Sequence, residues 1–141
     1  MSSLSIARIL IVDDEAANML ALCETLRDRG YETEGATDGH AALEALAREP
    51  FDLLLTDLMM PGMNGVELLS AALQVDPQLV AVLMTGQGTV ETAVAAMQAG
   101  AIDYVLKPIK LGAIIPVLSR ALDIRRLRQE MGPDVELLHD V

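Results

Sequence analysis

Near its N-terminus the chain reads Ile9-Leu10-Ile11-Val12-Asp13-Asp14, four apolar residues followed at once by two acids. A short apolar run without polar alternation is typical of a strand that is buried on both faces. Strands of that kind occur mostly in parallel sheets, because helices then cover both sides of the sheet. The stretch therefore predicts a doubly covered strand with two carboxylates directly after it.

The rest of the chain alternates short apolar runs with segments of helical period. Further strands are predicted near 31–35, 52–56, 79–84 and 102–106, and helices near 19–26, 41–48, 64–75, 90–97 and from 111 onward. Val90, Val94 and Met97 mark the fourth helix, and Gly30 and Gly100 are the predicted ends of the first and fourth. Five strand–helix units in strict alternation predict a doubly wound α/β fold around a five-stranded parallel sheet.

The composition of the chain argues against several classes of protein. The length of 141 residues suits one domain, and an apolar fraction of 52% argues against a disordered chain. The net charge of -11 argues against direct nucleic-acid binding, which needs clustered Lys and Arg. One cysteine, no signal peptide and no apolar run of membrane-spanning length predict a cytoplasmic location without membrane insertion.

Four predicted strands end in a polar residue that directly follows the apolar run. These ends carry three carboxylates, one hydroxyl and one ammonium, on Asp13, Asp14, Asp57, Thr85 and Lys107. The carboxyl ends of parallel strands meet at one edge of the sheet, so we expect these side chains to lie together. Any single acid here is explained equally well as a helix N-cap, but four separate loops with complementary groups are not.

The chemistry of this set points to a metal and a phosphoryl group. Three neighbouring carboxylates repel one another, and a divalent cation would relieve the repulsion. Oxygen ligands without His or Cys favour Mg²⁺. A carboxylate can take a phosphoryl group as an aspartyl-phosphate, while Mg²⁺ and the ammonium of Lys107 neutralise the phosphoryl oxygens.

Four motifs resemble those of the receiver domain of two-component response regulators, a family with a CheY-like fold. They are Ile9-Leu10-Ile11-Val12-Asp13-Asp14-Glu15, Leu55-Thr56-Asp57-Leu58-Met59-Met60-Pro61-Gly62-Met63-Asn64-Gly65, Leu83-Met84-Thr85-Gly86 and Gly100-Ala101-Ile102-Asp103-Tyr104-Val105-Leu106-Lys107-Pro108. Each motif alone is modest, but all four occur in the order and at the spacing of the family. The resemblance implies the flavodoxin-like strand order 2-1-3-4-5, with an extended last helix in this chain. It divides the chain into an N-terminal extension (1–7), a receiver domain (8–122) and an extended helix with a linker or tail (123–141).

The resemblance also implies a role for each residue of the phosphoryl site. Asp57 would be the phosphoacceptor, and Lys107 would pair with it beforehand and then hold a phosphoryl oxygen. Asp14 would bind Mg²⁺ directly, Asp13 would bind it largely through water, and Met59 would contribute its backbone carbonyl.

A second group of residues would transmit the change. Thr85 would bond the phosphoryl group and move toward it, and Tyr104 would turn inward as the switch aromatic. The bond before Pro108 would be cis. Gln87 matches a position that resembles those tuning phosphoryl hydrolysis.

The implied function is signalling by a population shift. A histidine kinase or a phosphotransfer protein would supply the phosphoryl group, and the chain's own chemistry would be limited to self-phosphorylation and autodephosphorylation. The face made by the fourth helix, the fifth strand and the last helix would then change, which a partner or an attached output domain would sense.

The last helix carries two further expectations. Its basic stretch at 119–128 resembles a signalling helix that leads into another domain, as in receivers attached to sensor histidine kinases, although a solvated helix end explains it equally well. This favours a receiver excised from a larger protein over a stand-alone one. Two apolar stripes, wider together than one core face requires, also predict a homodimer through this helix.

Two other functions compete with this interpretation. A dehalogenase-like phosphatase also uses an aspartate nucleophile and Mg²⁺, but it needs a second aspartate two positions later, where this chain has Met59. A pseudo-receiver would bind partners without accepting phosphate, and the complete set of acids, hydroxyl and lysine argues against it.

Overall fold

The computed structural model of the chain describes residues 6–86 and 88–131. Residues 1–5 of the predicted extension (1–7), Gln87 and residues 132–141 of the predicted C-terminal segment (123–141) therefore lie outside the described residues. In chain order the elements are β1 (Arg8–Val12), α1 (Ala16–Arg27), β2 (Glu32–Ala36), α2 (Gly39–Arg48), β3 (Leu53–Asp57), α3 (Gly65–Val75), β4 (Val80–Thr85), α4 (Val90–Gln98), β5 (Asp103–Leu106) and α5 (Leu111–Met131).

The five strands form one parallel sheet in the order β2-β1-β3-β4-β5, which confirms the predicted fold class and strand order. The central strands β1, β3 and β4 are the ones with continuous apolar runs, and they are buried almost throughout. The edge strands β2 and β5 are partly exposed and contain polar residues. Burial on both faces therefore explains which strands lie at the centre.

The helices cover the sheet in two layers. On one face, α1 and α5 pack against the strands through Met19, Cys23, Leu26, Ile114, Leu118 and Ala121. On the other face, α2, α3 and α4 pack through Ala42, Ala45, Leu46, Leu68, Leu69, Ala72 and Ala96. None of the helices formed by the described residues is long and apolar enough to cross a membrane.

The residues that marked the fourth helix in the sequence do not form its buried face. The predicted helix is present, but Val90, Val94 and Met97, which marked it, are 79%, 45% and 49% exposed. Its buried residue is Ala96. The helix therefore approaches the sheet through a small side chain and leaves an apolar surface facing outward.

The last helix is a single element through Met131, and Pro116 lies inside it. Its buried face begins with apolar residues and ends in a charged one, Arg125. The apolar stripes of the sequence did not predict a buried arginine at this position.

The start of α3 is held close to the end of β3. Asn64 and Glu67 form a capping box, in which each side chain accepts a hydrogen bond from the backbone N–H of the other residue. Gly65 donates its N–H to the carbonyl of Leu58, and a Cβ at this position would lie 2.4 Å from the carbonyl oxygen of Asp57. The helix can reach this position because residue 65 has no side chain.

We expect Gly65→Ala to destabilise the fold by about 1–3 kcal/mol, because the new methyl group meets backbone that cannot move aside without shifting β3. Gly112→Ala in α5 is the matched control, since a Cβ there meets nothing within 4 Å and alanine favours helix. Urea unfolding of the three proteins measures both effects. Equal stability of Gly65→Ala and wild type would contradict the close approach.

Candidate functional site

The site lies at the carboxyl edge of the sheet, where β1 and β3 run side by side. Val12 at the end of β1 is in register with Thr56, so the loop after β1 lies next to Asp57, the last residue of β3. Since β2 lies on the other side of β1, the strand order reverses here, and a crevice opens beyond the strand ends. Asp13 and Asp14 lie in that loop.

Three carboxylates meet in this crevice. One oxygen each from Asp13, Asp14 and Asp57 lies within 4.8 Å of the others, and among the described residues the group contains no His or Cys. Asp13 and Asp57 are 3% and 6% exposed, whereas Asp14 is exposed. The backbone N–H of Glu15 donates to Oδ1 of Asp13 at 3.0 Å and fixes its direction. Two buried oxygen ligands and one exposed ligand fit a hard divalent cation that keeps part of its water shell, as Mg²⁺ does.

One ammonium group bridges the acids. The Nζ of Lys107 donates hydrogen bonds of 2.9 Å to Oδ2 of Asp13 and of 2.9 Å to Oδ2 of Asp57. Lys107 follows β5, and its backbone N–H donates to the carbonyl of Thr85 at the end of β4. The Lys107–Pro108 peptide bond is cis. The lysine therefore reaches across the end of β4 to the crevice between β1 and β3.

This crowding changes the ionisation of both partners. Burial raises the pKa of Asp57 above its ordinary value of 3.8, because Lys107 offsets the burial only in part and the charge of Asp13 adds to it. Burial lowers the pKa of Lys107, but its hydrogen bonds to the two acids outweigh that effect, so the pKa lies above the ordinary value of 10.5. Negative charge is thus in excess, and Lys107 remains an ammonium at neutral pH.

The other predicted site residues lie around this cluster. Met59 is 71% exposed, and its backbone N–H lies close enough to the Asp57 carboxylate to lower the pKa of that group slightly against the effect of burial. Thr85 is buried at the end of β4, next to the backbone of Lys107. Tyr104 is partly buried in β5 and packs against the core on the side of α2, α3 and α4. Met59 and Thr85 therefore border the acid cluster, and Tyr104 lies outside it.

Two features of the site were missed from the sequence. The spacing of Asn64 and Glu67 is a capping-box signal that could have predicted how the loop after Asp57 is anchored. The two strand ends were expected to lie together, but the hydrogen bond between Lys107 and Asp13 was not predicted, because the family motifs paired Lys107 with Asp57 alone. It follows from the strand order, which brings the ends of β1 and β5 to the same edge.

The comparison with protein families gives one clear match. The family model described as the response regulator receiver domain matches residues 9–119. This range includes every residue of the acid cluster, Lys107, Thr85 and Tyr104.

Curated relatives are regulators of greater length. The response regulator protein FleR of Pseudomonas aeruginosa is 41% identical over 128 residues, which are 90% of this chain and 27% of FleR. The regulatory protein AtoC of Escherichia coli is 37% identical over 127 residues, which are 90% of this chain and 28% of AtoC. The chain thus spans little more than a quarter of the length of these relatives. Attachment to a sensor kinase, which the sequence suggested, stays a prediction.

Solved structures agree with the fold. A CheY-like receiver domain protein from Methanospirillum hungatei has a TM-score of 0.81 and 33% identity, with 88% of this chain and 99% of that chain covered. NtrX from Brucella abortus has a TM-score of 0.83 and 36% identity, with 89% of this chain and 29% of that chain covered.

We expect Asp57→Asn to raise the melting temperature by a few degrees in Mg²⁺-free buffer at neutral pH. Folding raises the pKa of Asp57 above 3.8, so protonation of this group stabilises the folded state. The stabilisation is complete below pH 3.8, and it is lost as the pH rises through the pKa of Asp57 in the folded state. The gain from Asp57→Asn should therefore shrink as the pH is lowered toward 3.8. Thermal unfolding from neutral to acidic pH measures it.

The control for this prediction is Asp38→Asn, which also removes one carboxylate. Asp38 is exposed and caps α2 by accepting from the N–H of Ala41, and asparagine caps helices equally well. Its melting temperature at neutral pH should match that of wild type. A loss of stability in Asp57→Asn at neutral pH would show that the pair with Lys107 outweighs the crowding.

Proposed function

The chain belongs to the response regulator receiver domain family, and on that premise we propose that it stores a phosphoryl group on Asp57 and signals through the change that follows. The observation that carries the proposal is the joint placement of three carboxylates and one ammonium, with Lys107 donating to both buried acids. Structural capping does not require such a group, since capping acids do not need a shared cation.

The proposed reaction is a transfer between two nucleophiles. A carboxylate oxygen of Asp57 attacks the phosphorus of a phosphohistidine on a histidine kinase or phosphotransfer protein. The new bond joins oxygen to phosphorus, the bond from phosphorus to nitrogen breaks, and the imidazole leaves with the electron pair. Asp57 suits this role because its carboxylate faces the crevice beside Asp13, and the one ammonium of Lys107 is shared between these two acids.

The neighbours of Asp57 would manage the charge of the phosphoryl group. We assign Mg²⁺ to Asp13, Asp14, Asp57 and the carbonyl of Met59; the ion would supply positive charge to the phosphoryl oxygens. Lys107 would exchange its bond to Asp57 for one to a phosphoryl oxygen, and it keeps its charge to do so because its pKa is raised. Both effects lower the cost of bringing an anion to an acidic site.

The stored group would be sensed through α4, β5 and α5. Thr85 would turn toward the phosphoryl oxygens, and Tyr104 on the adjacent strand would take up the space released. The surface beside them is apolar and exposed, with Val90, Val94 and Leu106 pointing outward. This surface would bind a partner or an attached output domain, which is consistent with the greater length of the related regulators.

We expect wild-type protein to gain one phosphoryl mass when incubated with acetyl phosphate and Mg²⁺, and Asp57→Asn to gain none, because the nucleophile is lost. Intact-mass spectrometry measures the gain and peptide mapping locates it. Asp38→Asn is the matched carboxylate control and should be labelled like wild type. Full labelling of Asp57→Asn would reject Asp57 as the acceptor.

The same assay tests the metal ligands. Chelation with EDTA should abolish labelling, and Asp14→Asn should need a Mg²⁺ concentration roughly tenfold or more above that of wild type. Glu15→Gln removes the adjacent exposed carboxylate, which lies outside the three-acid group, and should leave the Mg²⁺ requirement unchanged. Equal Mg²⁺ requirements for Asp14→Asn and wild type would contradict the assignment of Asp14.

A homodimer through α5 is the second part of the proposal. Leu127 and Met131 are 55% and 48% exposed on this helix, and a second copy could cover them. We expect beryllofluoride and Mg²⁺ to raise the dimer fraction in sedimentation, and Leu127→Ser to prevent that rise. An unchanged wild-type monomer under both conditions would reject the dimer.

A further inference from the structure

The C-terminal part of α5, residues 123–131, is held to the domain in an unusual way; we call it the arm. Among the described residues of the arm, Arg125 is the one that is buried, at 6% exposure. Of its large apolar residues, Ile124 is partly buried against the core, whereas Leu127 and Met131 are exposed. Beyond Ile124, apolar burial, which holds the first half of α5 to the sheet, therefore contributes little to the position of the arm.

Polar contacts hold the arm to the rest of the domain. The guanidinium of Arg125 donates through Nη1 to Oδ2 of Asp76 at 2.9 Å and through Nη2 to the carbonyl of Phe51 at 3.2 Å. One turn later, Nη1 of Arg128 donates to the carbonyl of Leu79 at 2.9 Å, and the Gln78 side chain donates to the carbonyl of Arg128 at 3.1 Å. The arm is thus fastened to two separate segments of the chain, one before β3 and one before β4.

These contacts all lie at the end of the sheet opposite the acid cluster. Phe51 lies two residues before the start of β3, and Leu79 lies one residue before the start of β4. The same two strands end in Asp57 and Thr85 at the other edge. The arm is therefore docked on the starting points of the two strands that carry the phosphoacceptor and the hydroxyl.

The docking is incomplete in one respect. In the described part of the chain, Nε of Arg125 is a buried nitrogen without a hydrogen-bond partner, and the nearest carboxylate oxygen, Oδ1 of Asp52, is 3.8 Å away. A buried charged group with one unsatisfied donor stabilises the folded state less than a fully paired group does. A segment held by few buried contacts opens before the rest of a domain does.

We propose that the arm is a releasable extension of the domain, latched by Arg125 to the loops that enter β3 and β4. In the latched state α5 is one rigid element to Met131, and its axis is fixed relative to the sheet. In the released state the residues after Leu122 lose the contacts that support them, and a helix end of this length frays without support. The proposal rests on these contacts and holds whether or not Asp57 accepts phosphate.

Hydrogen exchange of the full chain, followed by mass spectrometry, tests the latch. In Arg125→Gln, amides of the arm should exchange roughly ten- to a hundredfold faster than in wild type, while amides of β1, β3 and β4 keep their rates within about twofold. Arg126→Gln is the matched control, because Arg126 is exposed and its ion pair is with Asp123 one turn earlier in the same helix. It should leave the arm unchanged.

A second variant keeps the test decisive if Arg125→Gln does not fold. Asp76→Asn removes the charge that faces Arg125 but retains a side-chain oxygen for the N–H of Gln78. It should accelerate exchange in the arm in the same direction and to a smaller extent. Two results would overturn the latch: arm rates that match wild type in the folded variants, or acceleration of the whole domain together, which would make Arg125 an ordinary core residue.

Discussion

The shared hydrogen bonds of Lys107 are the interaction on which the site depends. Two buried carboxylates face each other across the crevice between β1 and β3, and a single ammonium lies between them. The strand order makes this contact possible, because it brings the ends of β1, β3, β4 and β5 to one edge. The site therefore carries more negative than positive charge. Binding of a cation, or neutralisation of one carboxylate, would reduce the repulsion between the acids.

The features that the sequence predicted are those that a single local pattern determines. Continuous apolar runs identified β1, β3 and β4, and a polar residue after each run identified the edge where the chemistry lies. Because parallel strands all end at the same edge, local position in the chain was enough to predict which side chains meet. The family motifs then supplied the strand order, which the alternation of elements alone leaves open.

The features that were missed depend on contacts between distant segments. The spacing of Val90 and Val94 predicted that α4 is a helix, but it did not indicate that the buried residue is the small Ala96. Arg125 was counted in the basic stretch at 119–128, which a signalling helix and a solvated helix end explained equally well. Its partners Asp76 and Phe51 lie 49 and 74 residues earlier, so no pattern along the helix could have indicated that it is buried.

The contacts of the arm determine which positions of the chain can be substituted without releasing it. Its acceptors at Phe51 and Leu79 are backbone carbonyls, which every residue type provides. Substitutions at those two positions therefore leave the acceptor atoms in place, as long as the strands begin where they do. The identity of side chains matters at Arg125, Arg128, Asp76 and Gln78, which supply the side-chain groups of these contacts. One or two substitutions among these residues would therefore change how firmly the last helix is held. These residues lie at the opposite end of the sheet from the carboxylates, so such substitutions would leave the geometry of the acid cluster intact.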